Sequence, residues 1–218
     1  MDSNPRVFSL TPITDLITLA GYNFKNDQII PAIKLNSDLI VLDAYGYEAT
    51  AFNYKRTSLN HDIKYVTALG HGNDDNFFVK QPMFNDKTEA LFDFDYDFEV
   101  KGKIFHLCAC YTGINLGSKL IKKGAEAFIG YTKRVGGVDH YSNLNQIFNC
   151  DGKIDKVLCA GKTVEEAHNE AYRSYSNAIQ QLRSAGKTRA AAVFKRHRDS
   201  LCSPVTNSKY GNKDATIY

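Results

Sequence analysis

The 218-residue sequence has no apolar stretch near the roughly 18 residues that cross a bilayer, and its start, MDSNPRVFSL, lacks a basic region followed by an apolar one. A cytoplasmic protein with no membrane partner is the expectation. Charge of one sign is also lacking: 27 Lys and Arg stand against 24 Asp and Glu, and the signs alternate along most of the chain. Bulk electrostatics therefore gives no reason to expect a nucleic-acid partner. Five cysteines are an odd number with no disulfide-framework spacing, in a chain long enough to fold without staples, so free thiols in a reducing compartment are expected. No repeat, low-complexity tract or linker divides the chain, which reads as one domain over 1–218.

What is present is an apolar content of 43 %, enough for one good core. Strand-length apolar runs bounded by turn residues lie at 39–43, 63–69, 103–108 and 127–131. They lack clean alternation, which suits strands covered on both faces. Between the last two, INLGSKLIKKG fits one apolar helical face with Gly124 at its end, so the sheet is expected to be parallel there and the class α/β. Helices are expected over 163–184, opened by the capping-box pattern TVEE, and over 188–199. The Phe/Asp alternation in LFDFDYDFEV predicts a half-exposed strand or hairpin at a sheet edge, and ATIY a closing edge strand.

Ligands of open parallel sheets sit at the carboxyl ends of the strands. Two chemically capable residues fall there: His71, in LGHGND after the run IKYVTAL, and Cys110, just beyond KIFHLC. Only the expected edge insertion separates these two strands, which makes them neighbours. A thiol and an imidazole so placed can act as nucleophile and base, with the amides of Gly72 and Cys110 as oxyanion donors. Cys108, Cys150 and Cys159 read as core hydrophobes and Cys202 as a partly exposed thiol. A metal is the competing reading, because His106, Cys108 and Cys110 are spaced by two and share one face of a continuous strand. A basic cluster at Arg183, Lys187, Arg189, Lys195, Arg196 and Arg198 reads as a solvated helix face or, alternatively, a nucleic-acid surface.

LCACYTGINLGSKLIKKGAEAFIGY resembles the nucleophile region of the CHAT peptidases, relatives of caspases, gingipains and separase among the caspase-like (clan CD) cysteine peptidases. Leu107, Ala109, Cys110, Thr112, Gly113, Leu116, Gly124, Ala125, Ile129 and Gly130 match the family pattern in order. YVTALGHG resembles the strand that ends in the family's His-Gly, GKTVEEAHNEAY its following helix, and GNKDATIY its closing turn and strand; the first 37 residues match nothing. Cys108 departs from the Ser common in CHAT members and the Gln of caspases, and the His-to-Cys interval is shorter than in caspases.

The resemblance implies a caspase-like three-layer sandwich, a mostly parallel sheet flanked by helices. It implies an endopeptidase that cleaves protein substrates through the dyad of Cys110 and His71, with no cofactor and no metal in the chemistry. A specificity pocket is expected from Asp43, Tyr45, Glu48, Cys108 and Asp139, whose acids would favour a basic substrate residue, although Lys133 and Arg134 oppose that. Activation by a sensor or partner protein, in defence or cell death, is implied by analogy. The alternative is a catalytically silent caspase-like interaction module.

Overall fold

The computed structural model describes residues 4–13, 16–35, 38–81, 84–92, 94–135 and 143–218. In chain order its elements begin with β1 (Arg6–Thr11), α1 (Leu16–Phe24), a π-helical turn (Lys25–Ile29), α2 (Ile30–Lys34), β2 (Ile40–Tyr45), α3 (Ala51–Asn60) and β3 (Ile63–Leu69). Then come β4 (His71–Gly72), β5 (Phe77–Gln81), β6 (Phe84–Ala90), β7 (Ile104–Cys108), α4 (Leu116–Lys122) and β8 (Ala127–Tyr131). The chain closes with α5 (Leu144–Asp151), α6 (Lys153–Cys159), α7 (Val164–Ser184), α8 (Thr188–Ser200) and β9 (Leu201–Cys202).

The central sheet has six strands in the order β2-β1-β3-β7-β8-β9. Its first five are parallel, and β9 closes the edge antiparallel to β8. Side chains alternate across it. Phe8, Leu10, Val66, Phe105 and Leu107 point to the layer that holds Tyr54 of α3 and Leu116 and Leu120 of α4. Val7, Tyr65, Ile104, Cys108 and Ile129 point to the opposite layer of α1, α2, α5, α6 and the start of α7. The result is a three-layer sandwich, and α8 packs on α5 and α7 outside it through Phe194, Tyr175 and Ile147.

Thr163 caps α7 as the sequence predicts: its side chain accepts from the Glu166 amide, while Glu166 reaches back to the Thr163 amide. Three sequence expectations fail. RVFSLT, bracketed by Pro5 and Pro12, is a central strand and not an unassigned lead-in; it separates β2 from β3. LFDFDYDFEV leaves the ladder after Leu91, whose amide donates to Phe77; Phe94 takes a left-handed backbone (φ 64°) and the remainder forms a loop and a short 3-10 turn. The antiparallel hairpin is instead β5–β6, in a separate three-stranded sheet with β4. ATIY is not a strand; Ala215 and Ile217 bury into the core, the Ala215 carbonyl accepts from the first amide of α7, and β9 takes the edge.

Candidate active site

Strand order reverses between β1 and β3, so the crevice above the carboxyl ends of β1, β3 and β7 is where this architecture offers a ligand site. Parallel pairing sets Leu69 opposite Cys108, and the Gly70 amide continues the ladder to the Cys108 carbonyl at 3.3 Å. Two residues beyond that matched pair stand His71 on one strand and Cys110 on the other. The backbone of Gly72 abuts the cysteine segment: a Cβ there would lie 2.8 Å from Thr112 Cγ2 and 3.1 Å from both Ala109 Cβ and the Asn76 carbonyl. His71 is exposed and Cys110 half-buried, so both can be reached from solvent.

The chain turns sharply at the cysteine. Tyr111 holds a left-handed backbone (φ 63°), a costly conformation for a residue with a Cβ, and it separates the strand from the turn that leads into α4. The turn is pinned on both sides. The amides of Tyr111 and Gly113 donate to the carbonyls of Lys133 and Tyr131, and those of Asn115 and Leu116 donate to the Asp74 carbonyl in the loop after His71. The Cys110 amide makes no hydrogen bond among the described residues. Its thiol points at Val135, accepting from the Val135 amide at 3.3 Å and lying 3.6 Å from the Val135 carbonyl.

The other four cysteines are buried. Burial pushes the Cys150 thiol up to about 11 and that of Cys202 to about 12. Cys108 and Cys159 are also held well above the ordinary range, first by burial and then by nearby carboxylates. These thiols stay protonated and closed to solvent, which leaves Cys110 as the chemically available cysteine. Cys202 is thus a core residue, against the sequence expectation of a partly exposed thiol, because it sits under Gly113 in the edge strand.

His106 shares the face of Cys108 and is fully engaged. Its Nδ1 lies 2.9 Å from Asp155 and its Nε2 3.2 Å from Asp151, while Tyr65 and Tyr131 donate their hydroxyls to the same two carboxylates. Burial pulls the imidazole down, but the paired carboxylates outweigh it and raise His106 to about 10. With both nitrogens engaged it has no lone pair for a metal, so the His106, Cys108 and Cys110 site does not form. Beside it the buried Lys25 ammonium, presented by the π-helical turn, donates to Thr67 Oγ1 at 3.1 Å. Lys25, Cys108, Asp151 and Asp155 share a cavity of about 10 Å³, space for one water and too little for a substrate side chain.

The expected specificity residues are not gathered around the thiol. Cys108 lies in that closed cavity. Asp43 and Tyr45 are exposed on β2, which β1 and β3 separate from β7; three strand spacings amount to roughly 14 Å. Glu48 follows them on the same side, and Asp139 lies outside the described residues. Closer to the crevice is Pro12 at the end of β1, 3.1 Å from where a Cβ on Gly70 would stand. The bracketing prolines of RVFSLT are the sequence signal for that strand, and Asp151 and Asp155, four residues apart among the apolar positions Ile147, Phe148, Ile154 and Leu158, are the signal for the clamp on His106.

Among the described residues no helix is long and apolar enough to cross a membrane. The sequence matches no protein-family model and no curated protein.

Proposed function

We propose that the protein is a caspase-like cysteine endopeptidase in which Cys110 is the nucleophile and His71 the general base and acid. The observation that carries this reading is the pairing of Leu69 with Cys108, which puts the two groups at equivalent positions past the ends of neighbouring parallel strands. His71 takes the thiol proton as Cys110 Sγ attacks the scissile carbonyl. The amides of Gly72 and Cys110 donate to the resulting oxyanion, and His71 then gives its proton to the departing amine. Water, deprotonated by the same imidazole, releases the acyl group and restores the thiol. A basic preference would draw on Asp43 and Glu48 from across the crevice, whereas Lys133 and Arg134 are the charges next to the thiol.

The seat of Val135 on the thiol favours a latent resting form, in which this segment moves before substrate enters and a partner protein supplies the trigger. If the segment never moves, the chain is the silent interaction module. The deciding experiment incubates wild type, Cys110→Ala and His71→Ala with a mixed peptide pool and a thiol-directed peptide electrophile, read by mass spectrometry. Cleavage in wild type that is lost in both variants supports the peptidase. Turnover that survives Cys110→Ala removes it.

A further inference from the structure

At the opposite rim of the sheet, a groove of about 530 Å³ opens where α3 hands over to β3 and where the chain enters β7. Lys103, immediately before β7, is only 5 % exposed, yet it lines this groove. Its ammonium donates to the Phe98 carbonyl at 2.7 Å, one partner for three N–H groups, and no carboxylate lies within ion-pair distance of it among the described residues. Asp62, the acid that acts on it through space, is held by Lys64 at 3.0 Å. Burial accordingly pulls Lys103 below the usual lysine range, an effect that Asp62 only partly offsets and Lys64 reinforces.

A buried ammonium without a counter-charge costs several kcal/mol, which a bound anion would recover. The rest of the lining has the matching sign: Lys101 and the His61 imidazole border the groove, and Asp62 is its one acid among the described lining residues. We propose that this groove binds a phosphate group, with the Lys103 ammonium as its buried contact and Lys101 and His61 at its mouth. Phosphate suits the site better than a spherical anion because several oxygens can accept from the unused Lys103 donors and from Lys101 together. Phe98 forms one wall and stacks on Tyr96 with ring centroids 5.3 Å apart, an aromatic platform for the base of a nucleotide. The site lies at the far ends of the strands that carry His71 and Cys110 and is independent of any chemistry at those residues.

The test is calorimetric titration of the full chain with inorganic phosphate and with adenosine monophosphate, at constant ionic strength in chloride. A dissociation constant of about 1 mM or tighter is expected for phosphate, and chloride should not compete at equal ionic strength. Tighter binding of the nucleotide identifies a phosphate ester as the source, and equal binding identifies free phosphate. Lys103→Met and the exposed change Lys101→Glu should each weaken binding by about tenfold, while Asp62→Asn, which removes a repelling carboxylate, should tighten it by about threefold. If Lys103→Met does not fold, the two exposed variants decide. No binding of either compound, indifference to Lys101→Glu, or weakening by Asp62→Asn overturns the proposal, the last because an anion seated on Lys103 must gain when a carboxylate leaves the lining.

Discussion

Two cysteines one residue apart differ here in almost every property that governs a thiol. Cys108 is 4 % exposed and faces Asp151 and Lys25, while Cys110 stands past the strand end, within reach of solvent. Replacing each by alanine should separate them cleanly. Cys110→Ala is expected to abolish electrophile labelling and turnover with a melting temperature close to wild type, since a half-buried group in a turn supports little packing. Cys108→Ala should keep labelling and lose about 1 kcal/mol of stability from the small cavity it leaves, read by denaturant titration. If labelling instead follows Cys108, the assignment of the nucleophile is wrong. Tyr111 offers a second measurement at this scale: its left-handed backbone suits glycine, so Tyr111→Gly should be neutral or stabilising by about 0.5–1 kcal/mol, whereas the same change at an extended position would destabilise.

At the scale of elements, the crevice depends on how closely β4 approaches the turn after β7. Gly72 has no space for a side chain between Thr112, Ala109 and the Asn76 carbonyl, and two of those three neighbours are backbone or a short branched side chain in a pinned turn. Gly72→Ala should therefore push the His71–Gly72 strand away from Cys110. Turnover should fall by about tenfold or more, with most of the loss in kcat, because the dyad and the oxyanion amides separate while distant substrate contacts remain. An unchanged kcat would show that the strand can shift without cost.

Much of this geometry was legible in the sequence. The runs that became β3, β7 and β8 are continuous and apolar because both faces are covered, and the handover from β7 through α4 to β8 is marked by Gly124. The capping box of α7 is a purely local signal and survives intact. Non-local partnerships were not legible. RVFSLT is short, and its central place comes from pairing on both sides with β2 and β3, which no periodicity encodes. LFDFDYDFEV has the period of a strand but no ladder partner after Leu91; Phe92 instead meets Tyr54 and Phe105 edge-on. The expectation for the specificity residues has the same origin: Asp43 ends the strand beside the site only if β1 is left out of the sheet.

For the whole molecule, the buried clamp on His106 ties together six elements. Asp155 of α6 binds Tyr65 of β3 and His106 of β7; Asp151 of α5 binds His106 and Tyr131 of β8; and Tyr131 meets Tyr175 of α7 at 3.0 Å. Two carboxylates are out of water and the buried Lys25 ammonium balances only one of them, so the protonated imidazole completes the charge balance and its titration is a stability measurement. His106 is raised to about 10 from an ordinary value near 6.5, so its contribution is complete below the unfolded value and drains away as pH rises toward 10. Asp155 is lowered, so its contribution is complete above about 4 and is lost only in acid. His168, held neutral by burial, acts in the opposite sense, favouring the fold as pH rises through about 6.5 and contributing nothing further above it. The raised thiols weaken the fold mainly from about pH 8.5, where unfolded cysteines ionise. From pH 7 to 8 His106 is therefore the largest contributor, with a smaller loss of the same sign as the four buried thiols begin to ionise in the unfolded chain. There the unfolding free energy should fall by about 1.4 kcal/mol per pH unit, the value for one proton released on unfolding, and Asp155→Asn should flatten that slope by removing half of the field that holds the proton. A wild-type profile that is level or rising across this interval would mean that the clamp holds no extra proton, with His106 neutral.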